Sequence, residues 1–300
     1  MPGNPTPFRV GLILTERCDA SCSHCWFSCG PEKTATMSRY YAQDYIDKAS
    51  RAGVDWISLT GGEPMLYPSL VENLVAYASE RGMRTELVTN CNWAESPEKA
   101  SGTLRRLIDA GLSVVNVSAD DFHQGFVPFE RVGHVYATAK RLGFKLVVMS
   151  ALSRGSSRLS DVAIKLGDEI PPPGKAGSHT AIGIESGFTP VGRGAFLPRS
   201  VWYSDASTLT GGCGAVLRDL GVKPSGEVLP CCSASATIPS FGLGNLDDYE
   251  LDEMLDKAWG ADVFRILSEK GPWGLLNGPP DGVYANKCHL CSEVVGSLFV

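Results

Sequence analysis

Three cysteines near the start of the chain have a spacing that suits an iron–sulfur cluster. Cys18, Cys22 and Cys25 form a C-x3-C-x2-C pattern directly after an apolar run at residues 8–15. Three thiolates can hold a 4Fe-4S cluster and leave one iron free to bind a substrate or cofactor. The alternative is a structural zinc site, which usually has four protein ligands, and His24 is badly placed as a fourth because it adjoins Cys25. The spacing therefore favours a cluster.

A second set of four cysteines lies in the last third of the chain. Twelve residues separate Cys213 from Gly226, four more separate Gly226 from Cys231, and the pair Cys288-His-Leu-Cys291 comes much later. Four thiolates would complete the coordination of a 4Fe-4S cluster that serves electron transfer or structure. A four-cysteine zinc ribbon would use the same residues, so both metals stay open.

Three further cysteines have no place in these patterns. Cys29 and Cys91 are single residues for which burial as small hydrophobic side chains is the simplest interpretation, and they receive no role. Cys232 directly follows Cys231. Its side chain should therefore project away from Cys231 while it stays near the second metal site.

Composition excludes several classes of protein. The chain has 300 residues, 43% of them hydrophobic, with a formal net charge of −6, which argues against disorder and against a nucleic-acid binder. The longest uncharged stretch, 228–246, contains two prolines and cannot span a membrane, and no signal peptide is recognisable. We therefore expect a cytoplasmic protein without membrane contact, in which the ten cysteines stay reduced or bind metal.

The elements that must position these cysteines alternate regularly along the first two-thirds of the chain. Glycines follow several helices, and Ser38, Ser96 and Pro97 mark helix starts. Such alternation predicts right-handed crossovers and a parallel sheet, either open or an incomplete TIM-like barrel, with sites on the loops after the strands. The predicted strands cover about 8–15, 54–60, 84–89, 112–118, 144–150 and 180–184, and the helices about 39–52, 68–81, 97–110, 129–142 and 158–167.

The pattern changes after residue 185, where Gly and Pro become dense. Residues 215–231 read as a hairpin, and 248–270 as one helix. We predict a first domain at residues 1–200 and a second at 201–300 that carries the later cysteines.

The first cysteine loop resembles that of the radical S-adenosylmethionine (SAM) superfamily. The next strand end agrees, because Gly61-Gly62-Glu63-Pro64 resembles the motif that meets the amino end of SAM in that family. The resemblance implies α/β architecture with a partial (β/α)6 TIM-like barrel, a 4Fe-4S cluster on the three cysteines, and a 5′-deoxyadenosyl radical made by reductive cleavage of SAM. It also implies SAM contacts from the following residues: His24, Gly61, Gly62, Glu63, Pro64, Asn90, Ser118, Asp120 and Ser150.

The later cysteines resemble the SPASM/twitch extension of radical SAM enzymes. That extension needs about seven cysteines in its longer form, so the smaller twitch-like form with one auxiliary 4Fe-4S cluster fits this chain better. The resemblance therefore implies two clusters in total, the second held by Cys213, Cys231, Cys288 and Cys291.

Further runs are similar to the epipeptide-type radical SAM peptide epimerases. They include Ser118-Ala-Asp-Asp-Phe-His123, Ser225-Gly-Glu-Val-Leu-Pro-Cys-Cys-Ser233 and Gly296-Ser-Leu-Phe299. In that family the radical takes a Cα hydrogen from a ribosomal peptide, and the second cysteine of the Pro-Cys-Cys run returns a hydrogen to the opposite face. The resemblance implies this role for Cys232. Because the barrel begins by residue 8, we expect the peptide to bind the barrel mouth directly or through a partner.

Three readings of function stay open. The first is peptide epimerisation during maturation of a ribosomal natural product, with an external one-electron reductant such as flavodoxin or ferredoxin. The second is oxidative chemistry on a peptide or small metabolite, by cross-linking or dehydrogenation. The third is a non-catalytic metal-binding or electron-carrier protein. Asp121, Arg154 and Arg193 are further candidates for substrate or SAM contacts, or solvated loop charges.

Overall fold

A computed structural model describes residues 5–175, 180–204, 209–238 and 240–298. Every predicted strand and helix of the first part is present, and no bound moves by more than three residues. The strands are β1 (Arg9–Thr15), β2 (Trp56–Gly61), β3 (Arg84–Thr89), β4 (Val114–Ser118), β5 (Leu146–Leu152) and β6 (Ala181–Gly187). The helices are α1 (Arg39–Arg51), α2 (Pro68–Ser79), α3 (Pro97–Asp109), α4 (Asp121–Gln124), α5 (Phe129–Arg141) and α6 (Leu159–Leu166).

These strands form the predicted parallel sheet. Their order is β6-β5-β4-β3-β2-β1, and all five neighbouring pairs are parallel. Each connection between successive strands passes through one or two helices, so the carboxyl ends of all six strands meet at one edge. The predicted partial (β/α)6 barrel is confirmed, and this edge is its mouth.

The two faces of the sheet have different partners, as β1 illustrates. Val10, Leu12 and Leu14 belong to the main hydrophobic core beneath the helices. Successive side chains of a strand point to opposite faces, so Arg9 and Ile13 face the barrel lumen. The lumen face of β1 therefore carries a charged side chain beside an apolar one, whereas its other face packs apolar side chains against the helices.

Local signals explain where the helices begin and end. The Ser38 hydroxyl accepts a hydrogen bond from the Tyr41 backbone N–H at the start of α1, and Ser96 caps α3 in the same way. Gly53 and Gly111 follow helices with φ of 79° and 107°, a left-handed region that glycine enters without a side-chain clash. These helix ends fix where the chain turns back toward the next strand of the sheet.

The C-terminal part extends the same sheet. The predicted hairpin is present as β7 (Asp219–Val222) and β8 (Glu227–Leu229), which pair antiparallel, and β9 (Gly244–Asn245) pairs with β8. β7 also pairs in parallel with β1, so the nine strands of the described residues form one sheet. The division into domains at residue 200 stays a prediction.

The helices of the C-terminal part differ from the prediction at one point. Instead of one helix over 248–270, there are α7 (Leu251–Trp259) and α8 (Asp262–Lys270). Ala261 between them has extended backbone (φ −92°, ψ 130°), and Gly260, a poor helix former, precedes it. A last helix, α9 (Lys287–Gly296), carries the final cysteine pair. Within the described ranges, no helix has the length and apolarity that crossing a membrane requires.

Candidate active site

Cys18, Cys22 and Cys25 lie together on the loop that follows β1 at the barrel mouth. The loop turns back on itself, with the Cys25 N–H donating to the Cys22 carbonyl at 3.1 Å. Burial raises the pKa of Cys18 and of Cys22 to about 12, and the neighbouring thiols add to both shifts. The three sulfurs therefore form one electrostatically coupled group.

Arg193 holds this loop in place from a distant part of the chain. Its Nε donates to the Cys22 carbonyl at 2.9 Å and its Nη2 to the Cys29 carbonyl at 2.6 Å. Its backbone N–H also donates to the Cys25 carbonyl at 3.1 Å. The guanidinium thus binds the cysteine loop itself, a role that the sequence did not indicate.

The second loop of the mouth packs against the first through its two glycines. A Cβ on Gly61 would lie 2.4 Å from the Thr15 carbonyl oxygen, and one on Gly62 would lie 2.0 Å from the Arg17 carbonyl oxygen. The Gly62 N–H donates to the Thr15 carbonyl at 2.6 Å. Only residues without side chains permit this approach, so the glycines serve contact between the two loops.

The Glu63 carboxylate is buried and joins the second loop to the third. It accepts hydrogen bonds from the Met65 N–H (2.9 Å), the Thr89 hydroxyl (2.9 Å) and the Asn90 N–H (2.8 Å). Burial raises the pKa of Glu63 to about 7 against the opposing effect of these donors. Pro64 begins a short 3-10 turn directly after it. Glu63 therefore organises the mouth, and its contact with SAM stays a prediction.

Asn90 lies close to the first cysteine of the loop. Its Nδ2 is 3.9 Å from the Cys18 Sγ and donates to the Asp19 carboxylate at 2.7 Å. Asn92 donates to the other Asp19 oxygen at 2.6 Å. Asp19 and Asn92 were not predicted as site residues from the sequence. The only signals were that Asp19 lies inside the cysteine motif and that Asn92 follows the predicted residue Asn90 by two positions.

The fourth loop contributes a hydrogen-bonded pair of a carboxylate and an imidazole beside the cysteine loop. Asp120 caps α4, and its carboxylate lies 2.9 Å from the His123 Nδ1. Burial acts to raise the pKa of Asp120, but the His123 charge outweighs it and lowers that pKa to about 2. For His123, burial lowers the pKa, but the Asp120 charge outweighs this and the net shift is upward.

His24 packs against this pair from the cysteine loop. Its ring stacks on Phe122 with centroids 4.4 Å apart and meets His123 edge-on at 5.0 Å. Burial, followed by the His123 charge, lowers the pKa of His24 to about 4, so the ring is neutral at pH 7. Its buried Nδ1 has no hydrogen-bond partner within the described residues. The arrangement leaves a neutral ring with a free polar atom where SAM is predicted to bind.

Ser118 and Ser150 occupy different faces of the sheet. Ser118 follows Asn116 by two residues on the lumen side of β4 and pairs with Met149 of β5. Ser150 shares the side of β5 that carries the core residue Val148, and its buried hydroxyl has no partner in the described chain. Both stay predicted SAM contacts, with the lumen position favouring Ser118.

The four later cysteines come together at the side of the barrel. The pKa of Cys291 is raised, first by burial and then by Cys231, Cys288 and Cys213, so all four thiols lie close to one another. Cys288 and Cys291 sit at the start of α9, where the Asn286 side chain caps the helix by accepting from the His289 N–H at 3.0 Å. A helix N-terminus stabilises negative charge and so suits thiolate ligands.

Cys232 leaves this group and points into the barrel lumen. Its backbone N–H donates to the Asp219 carbonyl at 2.6 Å. Burial raises the pKa of Cys232 to about 11; the Arg9 charge lowers it, and Asp219 and Glu86 raise it. The thiol is therefore protonated at neutral pH and carries a hydrogen.

These charged neighbours form a network across the lumen. Arg9 on β1 pairs with Glu86 on β3 at 2.6 Å and with Asp219 on β7 at 3.4 Å. Asn116 on β4 donates to Glu86 at 3.1 Å. The network lies on the side of Cys232 that is remote from the barrel mouth, because Arg9 is the first residue of β1.

A cavity of about 220 Å³ lies between the cysteine loop and the segment that follows Cys232. It is open to solvent at the mouth. Its lining residues include Ile13 from the lumen face of β1, Trp26 and Ser28 from the cysteine loop, and Ala236 and Thr237 from the later segment. The cavity therefore borders both the cysteine loop and the lumen face of β1.

The two unassigned cysteines are both buried. Cys91 is fully enclosed in the helix-facing core. The Cys29 thiol lies within hydrogen-bond reach of Cys25 and lowers the pKa of Cys25 to about 6, although burial opposes the shift. The hydrophobic interpretation holds for Cys91, whereas Cys29 is part of the cysteine loop.

Comparison with known proteins agrees with this geometry. Residues 12–155 match the model of the Radical SAM superfamily. The chain is 23% identical over 276 residues to the putative peptide biosynthesis protein YydG of Bacillus subtilis, covering 89% of this chain and 82% of that protein. It is 28% identical over 314 residues to the PqqA peptide cyclase of Methylobacterium nodulans, covering 89% and 77%.

Solved structures give the same fold. The structure of anSMEcpe with bound AdoMet and Cp18Cys peptide superposes with a TM-score of 0.54 at 14% identity, covering 97% of each chain. At this identity the likeness concerns the fold alone.

Proposed function

We propose, from the premise that residues 12–155 of this chain form a radical SAM domain, that the protein is a peptide epimerase in which Cys232 returns the hydrogen. It would convert an L-residue of a ribosomal peptide to the D-form. The proposal depends on how the chain places two cysteine sites along one barrel.

The residues at the mouth fit the groups that this fold implies, namely SAM and a 4Fe-4S cluster. Sulfurs bound to one zinc ion lie about 4 Å apart, given Zn–S bonds of about 2.3 Å. Within the described ranges, the only group of three or more ligand atoms closer than 4.8 Å is that of His24, Asp120 and His123. The sulfurs of Cys18, Cys22 and Cys25 do not all lie within 4.8 Å of one another, which favours a cluster over a single zinc ion. The free His24 Nδ1 offers a contact for SAM. When bound, these groups supply a 5′-deoxyadenosyl radical that abstracts hydrogen from carbon.

The position of Cys232 carries the proposal. The Cys18–Cys25 loop lies above the C-terminal end of β1, whereas the Cys232 thiol lies against Gly11, four residues before that end at Thr15. At about 3.3 Å per residue, this places the thiol roughly 13 Å below the strand end. A substrate carbon held between them faces the radical source on one side and the thiol on the other. That arrangement is what inversion at Cα requires.

Hydrogen abstraction would break the Cα–H bond, transfer the hydrogen atom to the 5′-deoxyadenosyl radical to give 5′-deoxyadenosine, and leave a planar carbon radical. The S–H bond of Cys232 then breaks, a new C–H bond forms on the opposite face, and a thiyl radical remains. One proton from solvent and one electron, supplied by the external one-electron reductant, would restore the thiol. Cys213, Cys231, Cys288 and Cys291 would hold an auxiliary 4Fe-4S cluster beside Cys232 in the chain, a group that supplies electron transfer.

A peptide is the substrate that the comparisons support. The relatives named above act in peptide biosynthesis and peptide cyclisation by their names, and the compared structure contains a peptide. The cavity beside the cysteine loop is open to solvent and offers a peptide side chain a place to bind. An external one-electron reductant such as flavodoxin or ferredoxin would start each turnover.

Oxidative peptide cross-linking is the second candidate, because one relative is a PqqA peptide cyclase. It would remove two hydrogens and would leave Cys232 without a role. A small-molecule dehydrogenation would do the same. A non-catalytic metal carrier would not cleave SAM at all.

A single substitution separates these readings. Anaerobically reconstituted Cys232→Ala is incubated with SAM, dithionite and short synthetic peptides encoded by open reading frames that flank the gene. We expect 5′-deoxyadenosine formation to persist and D-residues, measured after hydrolysis by chiral derivatisation, to disappear. Cys91→Ala, which removes a thiol from the helix-facing core, is the matched control. Unchanged D-residue formation by Cys232→Ala refutes the proposal.

A further inference from the structure

Two glycines meet in the lumen at the position of Cys232. Gly11 on β1 and Gly221 on β7 are direct partners in the parallel pairing of these strands. A Cβ on Gly11 would lie 3.1 Å from the Cys232 Sγ, and a Cβ on Gly221 would lie 3.5 Å from the Cys232 Cα. Both glycines therefore face Cys232.

Backbone conformation does not require glycine at either position. Neither residue has positive φ, whereas fourteen other glycines in the described chain do. Glycine weakens a strand because it adds entropy to the unfolded chain and packs no side chain. In a strand interior it often marks a place where another group approaches closely. Here that group is Cys232.

The side chains on either side of Gly11 along β1 limit the gap that the missing Gly11 side chain leaves. Arg9 and Ile13 lie two residues to either side on the same face, so side chains stand below and above the gap. Arg9 belongs to the charged network, and Ile13 lines the cavity at the mouth. The thiol lies between them, against two strand positions that carry no side chain of their own.

We infer that Gly11 and Gly221 form a slot that sets the depth of the Cys232 thiol in the lumen, and that Gly11 is a positioning residue for hydrogen return. The inference rests on the proposed function of Cys232. The slot decides whether the sulfur reaches the far face of the substrate carbon; it does not take part in SAM cleavage, which occurs at the mouth.

The two glycines differ in how much room they leave. Carbon and sulfur normally approach no closer than about 3.5 Å, so a Cβ 3.1 Å from the sulfur in Gly11→Ala forces the sulfur to move by a few tenths of an ångström. The 3.5 Å from Gly221 is an ordinary contact, and its nearer neighbour, Leu229 Cδ1 at 3.3 Å, is the end of a flexible side chain. Gly221→Ala should therefore displace the thiol less.

The test measures D-residues formed per 5′-deoxyadenosine, with the peptides and reductant described above. This ratio does not depend on the fraction of folded enzyme. Misplacement of a reacting group by about 1 Å can cost about 100-fold, so a shift of a few tenths of an ångström should lower the ratio about fivefold in Gly11→Ala and less in Gly221→Ala. Gly133→Ala is the control, because a Cβ on Gly133 in α5 meets no atom within 4 Å.

A preserved ratio in Gly11→Ala overturns the inference. So does loss of 5′-deoxyadenosine formation in parallel with D-residue formation, because the glycine would then support the fold instead of the thiol. Cys232→Ala, assayed in parallel, separates the two proposals: if it still makes D-residues, the epimerase proposal fails independently of the slot.

Discussion

The hydrogen bonds from Arg193 to the cysteine loop lead to a quantitative prediction for Arg193→Ala. The substitution removes two side-chain hydrogen bonds, to the Cys22 carbonyl at 2.9 Å and to the Cys29 carbonyl at 2.6 Å. The backbone bond from residue 193 to the Cys25 carbonyl remains. The loop should therefore stay folded but open more often.

The size of the effect follows from these two bonds. A hydrogen bond to a charged group contributes about 1.5–3 kcal/mol, and the partly exposed guanidinium favours the lower value, giving about 3 kcal/mol for both. Ordering the long side chain costs about 1 kcal/mol of this. The remaining ~2 kcal/mol corresponds to roughly a 30-fold increase in loop opening.

Iron release to a chelator measures this opening. In the reconstituted protein, the iron of the proposed cluster at the mouth should be lost about 30-fold faster in Arg193→Ala, while the iron of the proposed auxiliary cluster should leave at its original rate. Arg193→Lys should be intermediate, because one ammonium group cannot reproduce the planar fork of the guanidinium. Arg105→Ala, at an exposed position of α3, is the control.

Two results would refute this reasoning. Release within twofold of the original rate would show that the two bonds do not restrain the loop. Equal acceleration of both pools of iron would show a general loss of stability instead of a local one.

Two more substitutions test the contacts around the cysteine sites. Gly62→Ala should abolish SAM binding, measured by equilibrium dialysis, because its Cβ would lie 2.0 Å from a carbonyl oxygen; Gly102→Ala, with its nearest atom at 3.9 Å, should retain it. SAM binding by Gly62→Ala would contradict the close packing of the loops. Asn286→Ala removes the cap of α9 and donors to the Gly187 and Phe188 carbonyls. It should lower the free energy of unfolding by about 1–2 kcal/mol and reduce only the iron content of the proposed site on the later cysteines. Asn286→Asp keeps the cap and should retain that iron. Equal loss of iron in both variants would exclude the cap as the cause.

Local patterns were sufficient to predict the barrel and the first cysteine loop. Hydrophobic periodicity and helix-end residues depend on neighbours in sequence, so β1 to β6 and their helices were placed within three residues. The spacing of Cys18, Cys22 and Cys25 is equally local. The single helix over 248–270 was wrong because a helical pattern continues across Gly260, where the backbone turns extended at Ala261.

Contacts between distant parts of the chain could not be predicted in this way. Arg193 lies 171 positions from Cys22, and nothing near it indicates its partner. The pairing of β7 with β1, which places Gly221 beside Gly11, joins the hairpin to the first strand across most of the chain. The ion pair of Asp120 and His123 was visible as a motif, but its contact with His24 depends on the closure of the barrel.

The most direct test of the central claim is the mass and configuration of a modified peptide formed in deuterated water. Inversion with hydrogen returned by Cys232 predicts a D-residue whose peptide is about 1 Da heavier, since the thiol exchanges with solvent before it donates to Cα. A product about 2 Da lighter, with every residue in the L-form, would contradict epimerisation and identify the chemistry as oxidative.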